Sequence, residues 1–390
     1  MIPSKKTKNI HMKKYLVLVL FSLLTATACT DYLDQAPTAG LDEGEIFEKY
    51  TNFKLFFDAV YDGQEKSGTS WYQVNIRCAY PLWLAMWDQK TSFDCLTEIA
   101  DHGRTLRTYW GQGVMGTNAN MMTTDLPRRP ILKSMFTVIR ICNYSRANID
   151  RVKDGTEEEI NDLKGQAYFM RGYAHFNLIR FWGPMPYLTY VIGEDPESWD
   201  MARESKNHSL RNVALDMDSA FLYFEKAKKI RRDPGPGEPG HLDDPQQRCP
   251  SGISAKAIKA RALLYAASPL NNEYGTGDWE DAAAANWEAI QLALQYGYAL
   301  LPMEKYHENY LARYSNEQLF AWYYGNNAKY DNGVWQGLLS GSMAEKKTGW
   351  SGECPTQNMV DRFEVLHEGK AYTLNTETDR AIAAAAGAYN

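Results

Sequence analysis

The side chains best suited to ligand chemistry in this 390-residue chain are tryptophans. Trp71, Trp83, Trp87 and Trp110 fall within residues 71–110 and Trp322, Trp335 and Trp350 within 322–350, so two short stretches hold seven of the 11. Most stand in loop-like sequence, where a flat ring with few rotamers loses little entropy on ordering and suits stacking against a ligand. Asp88, Gln89, Asn326, Asn327 and Asp331 lie near them as hydrogen-bonding groups. Sugars combine apolar ring faces with hydroxyls. Trp71, Trp87, Trp335 and Trp350 are therefore the expected stacking platforms, with Asp88 and Gln89 orienting hydroxyls. The competing role for each ring is to pin a long loop to the scaffold.

Catalytic patterns carry less. Asp94 and Glu98 are one helical turn apart and could be offered as a glycosidase pair, but among 48 acidic residues such pairs arise by chance. Residues 111–116 and 235–240 both fit Gly-x-Gly-x-x-Gly. The first runs into Thr117-Asn118-Ala119-Asn120 instead of an apolar helix, and the second holds two prolines. The seven histidines never form His-x-x-x-His, and neither Gly-x-Ser-x-Gly nor Cys-x-x-Cys occurs. The expectation is no catalytic residue, no cofactor and no metal site.

Cys29 offers another chemistry. Met12-Lys13-Lys14, an apolar run from Tyr15 to Leu24 and the small residues Thr25-Ala26-Thr27-Ala28 lead directly into it. That is a charged n-region, an apolar segment too short to span a bilayer and a small-residue cleavage site. Residues 1–28 then read as a lipoprotein signal peptide, with cleavage after Ala28, acylation of the Cys29 thiol and residues 29–40 as a lipid-anchored tether. Ala26 stands where Leu is more usual, and Met12 is the expected true start. An ordinary signal peptide and an uncleaved anchor are the alternatives.

Composition narrows the rest. With 44% apolar residues the chain can bury a large core, and no second stretch is long enough to cross a membrane. Residues 1–28 hold five lysines and no acid, so residues 29–390 carry 37 basic against 48 acidic side chains, a net charge of −11. Such a surface repels phosphate backbones and gives no footprint for nucleic acid. Beyond Cys29 remain Cys78, Cys95, Cys142, Cys249 and Cys354, an odd set that cannot all pair within the chain. The fold is expected not to depend on disulfides, with Cys78–Cys95 left open.

Periodicity supplies the elements that must position these groups. A first helix is predicted near Asp42–Tyr61, with Ile46, Phe53, Phe57 and Val60 on one face. Ile131–Val152 and Glu157–Trp182 form a helix hairpin around Asp154-Gly155-Thr156, with Gly155 read as a C-cap and Thr156 as an N-cap. The second of these is apolar on two faces and must be covered on two sides. Leu210–Ile230, Ser254–Ser268 and Trp279–Tyr298 continue the pattern, with Ala257, Ala260, Ala283 and Ala289 where helices approach closely. Residues 233–250, rich in Pro and Gly, read as a surface loop.

Five segments in order carry a resemblance. They are Cys29 with Asp31-Tyr32-Leu33-Asp34; residues 167–186, with Arg171, Arg180 and Gly183-Pro184-Met185-Pro186; residues 256–269; Trp279 with Ala282-Ala283; and residues 316–320 together with Pro355-Thr356-Gln357, Val360-Asp361 and Phe363-Glu364. On these the chain resembles the SusD/RagB family of outer-membrane nutrient-binding lipoproteins from Bacteroidetes. The resemblance implies a mostly α fold, a tetratricopeptide-like helical solenoid with a loop-rich ligand face, over residues 41–390 with loop-rich inserts at about 62–128, 231–252 and 320–356. It implies that Arg171, Arg180 and Gly183 are structural. Its members continue well past Pro355-Thr356-Gln357, so the chain is expected to be incomplete at its C-terminus.

The implied role is a surface-exposed, lipid-anchored outer-membrane protein, not an enzyme, that binds oligosaccharide and delivers it to a SusC-like TonB-dependent transporter. Peptide capture of RagB type, a surface glycosidase and a structural adaptor are the rival readings.

Overall fold

The computed structural model describes residues 43–62, 64–67, 70–73, 97–101, 131–193, 195–232, 249–311, 315–320 and 354–388. Two units are distinguished, Met1–Ile46, of which only Glu43–Ile46 is described, and Phe47–Asn390, which carries the fold. Its elements are predominantly helical.

The predicted first helix is two helices, α1 (Glu43–Glu48) and α2 (Tyr50–Asp62). The break at Lys49 has a cause outside the segment. The Glu48 carbonyl accepts from the Lys153 N–H at 2.9 Å, and the Tyr50 N–H donates to Asp154 Oδ1 at 2.6 Å, so neither group continues a helical ladder. The expected apolar face holds in α2, where Phe53, Phe57 and Val60 are fully buried. After it comes the antiparallel hairpin β1 (Gln64–Ser67) and β2 (Ser70–Gln73).

A stack of sequentially packed helices comes next: α3 (Ile131–Asn148), α4 (Glu157–Trp182), α5 (Lys206–Lys226), α6 (Gly252–Ala267) and α7 (Thr276–Gln295). Thr156 caps α4 as expected. Its hydroxyl accepts from the Glu159 N–H while the Glu159 carboxylate accepts from the Thr156 N–H, a reciprocal capping box. Gly155 is a correction: its φ is not positive, and it is there because a Cβ would come within 2.9 Å of Ile160 and 3.3 Å of Tyr50. The glycine that does end a helix is Gly183, with φ +76° and its N–H on the Ile179 carbonyl, followed by Pro184 and Pro186, which cannot extend the turn.

Helix α4 is buried on nearly every side, from Leu163 through Phe169, Met170 and Phe176 to Ile179, as its two apolar faces require. Gly165 and Gly172 let α5 approach, since a Cβ would stand 2.7 Å from the Phe224 ring and 2.8 Å from Met217. Between α6 and α7 the contact is built from Ala260, Ala267, Ala282, Ala285 and Ala289. Ala283, predicted at this contact, faces outward instead, and Ala257 is only half-buried.

The chain re-enters with β4 (Cys354–Pro355), which pairs antiparallel with β3 (Ala100–Asp101) across more than 250 residues. A one-turn helix α9 (Gln357–Val360), the hairpin β5 (Val365–His367) and β6 (Lys370–Tyr372), and α10 (Glu377–Ala385) complete the described chain, after the four-residue α8 (Glu308–Leu311). Cys142, Cys249 and Cys354 are free thiols.

Candidate functional site

The corner between α3, α4 and the chain leaving α4 shows how this fold positions a site. Residues 187–190 belong to neither helix nor strand, so their backbone groups need other partners. Side chains supply them. Asn143 Nδ2 donates to the carbonyls of Leu188 and Tyr190, each at 3.0 Å, and Arg146 and Arg171 both donate to the Thr189 carbonyl at 3.2 Å. The Leu188 N–H donates to His175 Nε2 at 3.0 Å. An N–H can only donate, so Nε2 accepts and His175 Nδ1 carries the proton that it gives to the Arg171 carbonyl at 2.9 Å.

Behind this segment lies a buried charge. Arg171 is 3% exposed and donates from Nε to Asp216 Oδ2 at 2.9 Å and from Nη2 to Oδ1 at 2.5 Å, a bidentate pair between α4 and α5. Its remaining arm reaches Asn143 Oδ1 at 3.1 Å. Burial works to lower the Arg171 pKa, and the Asp216 carboxylate more than offsets it. The Tyr187 hydroxyl donates to Asp216 Oδ2 at 2.7 Å, and its ring stacks on the His175 imidazole with centroids 3.9 Å apart. Burial pushes His175 down to about 4, keeping the imidazole neutral. Burial also raises the Cys142 thiol beyond use as a nucleophile near neutrality. Nothing in this network is poised to react: each polar group is spent on holding the fold.

The same pinning opens a cavity of about 350 Å³ between α3 and the chain from Met185 to Met201. Phe136, Ile139, Arg140 and Asn143 form the α3 wall at helical spacing, and Leu188, Tyr190, Ile192, Trp199 and Met201 stand among the residues opposite. Trp199 and Tyr190 are 62% and 55% exposed at this wall. Sequence reading missed both; the cue was a lone aromatic in the turn-forming run Asp195-Pro196-Glu197-Ser198-Trp199.

The sequence-predicted site falls elsewhere. Trp71 lies in β2, its backbone opposite Lys66, and its side chain is outside what is described. Trp87, Asp88, Gln89, Trp335 and Trp350 lie outside the described residues, as do Cys29, Cys78, Cys95, Asp94, both glycine-rich patterns and residues 233–248. Glu98 is exposed in a turn. Chain connectivity still constrains the two tryptophan-rich stretches. The β3–β4 bridge, with the Thr356 N–H on the Ile99 carbonyl at 3.1 Å, joins residues 100–101 in the first to residues 354–355, just past the second in sequence. Among the described residues no cluster of His, Cys, Asp or Glu could hold a metal ion, and no helix is long and apolar enough to cross a membrane.

Comparison with known proteins fits this architecture. Residues 86–226, spanning α3 to α5 and the whole buried network, match the family model of SusD-like proteins described as starch-binding and associating with the outer membrane. SusD-like protein P2 of Formosa agariphila is 21% identical over 215 residues, 54% of this chain and 38% of its own length. A crystal structure of a SusD-like protein from Bacteroides fragilis superposes with a TM-score of 0.60 at 19% identity, covering 86% of this chain and 57% of that one. A SusD-like carbohydrate binding protein from the same species gives 0.55 at 15% identity, over 85% and 56%. The chain thus spans about two fifths of the first relative's length and somewhat over half of each structure's. At these identities the superpositions establish the fold.

Proposed function

We propose that this protein captures oligosaccharide at the outer membrane for uptake and does not cleave it. The observation that carries the reading is the match of residues 86–226 to a family described as starch-binding and associating with the outer membrane. Residues 1–28 serve as a lipoprotein signal peptide, Cys29 as the acylation site, residues 29–40 as the tether and 41–390 as the SusD-like helical-repeat domain, with a SusC-like TonB-dependent transporter receiving the ligand. Trp71, Trp87, Trp335 and Trp350 form the stacking face, with Asp88 and Gln89 directing hydroxyls. The bridge between β3 and β4 supports one shared face, because it anchors both tryptophan-rich stretches to a single backbone ladder.

The test is a glycan array followed by calorimetry on the full chain, with product analysis after prolonged incubation. Saturable binding of a neutral oligosaccharide with no shortening of the chain is expected. A shortened glycan, or affinity for peptides alone, would sink this reading in favour of a glycosidase or of peptide capture.

A further inference from the structure

The cavity beside α3 does not have the chemistry of a sugar site. Of its lining polar groups, Asn143 is fully used, with Nδ2 on two carbonyls and Oδ1 accepting from Arg171. The Tyr190 hydroxyl turns to Met201 Sδ at 3.7 Å. A sugar ring placed there would strip water from its hydroxyls and find almost nothing to replace it, which costs on the order of 1–3 kcal/mol for each group left unsatisfied. Hydrocarbon meets the opposite situation, because the remaining walls are the faces of Phe136, Ile139, Met185, Leu188, Ile192 and Trp199. Each methylene moved from water into such a place gains about 0.8 kcal/mol.

Charge supplies the second half of the specificity. Among the described residues Arg140 is the one charged side chain lining the cavity, and no carboxylate lines it. Arg140 is exposed, lies 6.0 Å from the Tyr144 ring centroid and has no ion pair among the described residues. Its neighbour in α3, Arg146, is committed to Thr189 and Tyr168. At about 30 Å³ for each water-sized group, the volume holds on the order of ten such groups.

We propose that this cavity is a binding site for a medium-chain amphiphilic carboxylate, its hydrocarbon body between α3 and residues 185–201 and its carboxylate at Arg140. The site is distinct from the proposed glycan face and does not depend on it, so glycan binding measured in parallel separates failure of one from failure of the other.

The probe is decanoate below its micelle concentration, titrated into the full chain by calorimetry, with decanol as the uncharged comparison. One saturable site is expected. Ile192→Trp, which fills the cavity from its partly exposed wall, should weaken decanoate at least about tenfold. Arg140→Gln should weaken it about two- to fivefold, the size of an exposed charge pair, and leave decanol unchanged. A variant-free measurement guards against misfolding: a diazirine-bearing fatty acid should label peptides from 136–143 or 185–201. Absence of saturable binding, labelling confined to other peptides, or an Ile192→Trp protein that unfolds like the wild type yet binds decanoate equally would overturn the assignment.

Discussion

Two helix contacts in the same stack are built in opposite ways. Between α4 and α5 the close approach is made by Gly165 and Gly172, and the register is fixed by the buried Arg171–Asp216 pair with Tyr187 and Asn143 around it. Between α6 and α7 it is made by alanines, and Asn286, reaching the Ala282 and Ala260 carbonyls, joins the two helices. An alanine seam brings helices close but says little about what leaves their ends. The α4–α5 contact also dictates the path of residues 187–190, and so shapes the cavity wall. Buried charge is here a device for position, since a pair of this kind is a weak source of stability and a strong penalty when halved.

The largest effect should come from halving it. Asp216→Ala strands the Arg171 guanidinium in the core, leaves the Tyr187 hydroxyl without its acceptor and should lower stability by about 3–5 kcal/mol in urea unfolding. A loss under about 1 kcal/mol would mean that the pair is not buried as described, and the contrast with α6–α7 would collapse.

Acid should sharpen the same contrast. His175 sits at about 4 when folded against an ordinary value of about 6.5, so between those pH values the unfolded chain holds the extra proton and stability falls as pH drops. About 3 kcal/mol should be lost between about pH 7 and pH 3 through this group, most of it between 6.5 and 4. Comparing the urea midpoints of wild type and His175→Gln across that range isolates the contribution; parallel pH profiles would refute it.

In the alanine seam, Ala285→Leu should overpack and cost about 1–3 kcal/mol, whereas Ala283→Leu on the outward face should stay within about 0.5. Equal effects at the two positions would put Ala283 back in the seam, where the sequence pattern places it. The smallest change belongs outside both contacts: Thr156→Ala removes the α4 cap and should cost about 1 kcal/mol, read as a shifted thermal midpoint.

How legible all this was depended on whether the cause was local. The hairpin of α3 and α4, the Thr156 cap and the apolar face of α2 follow from spacing within each segment. The break at Lys49 was hidden because its partners, Lys153 and Asp154, lie about a hundred residues on. Gly155 looked like a cap because a glycine between two helices usually is one; here its role is to leave room for Ile160 and Tyr50. In α7 Ala289 lies in the seam as its spacing predicts, while Ala283 is one residue off within a run of four alanines, where composition gives no phase. His175 and Asp216 carried no sequence signal, since their partners are backbone groups and an arginine brought in by tertiary folding. The aromatic stretches were visible as composition, but which rings meet a ligand depends on loop paths that periodicity does not encode.

In the proposed function, the loop aromatics hold the oligosaccharide and the helical stack only positions them. Calorimetry on the full chain with an array-identified glycan tests this division of labour directly, using Trp→Ala at residues 71, 87, 335 and 350 one at a time. Loss of one stacking ring should weaken binding by about tenfold, near 1.4 kcal/mol, at some of these positions while thermal unfolding stays within a degree or two. If all four substitutions lower stability and none alters affinity, the rings are loop anchors and the proposal is wrong.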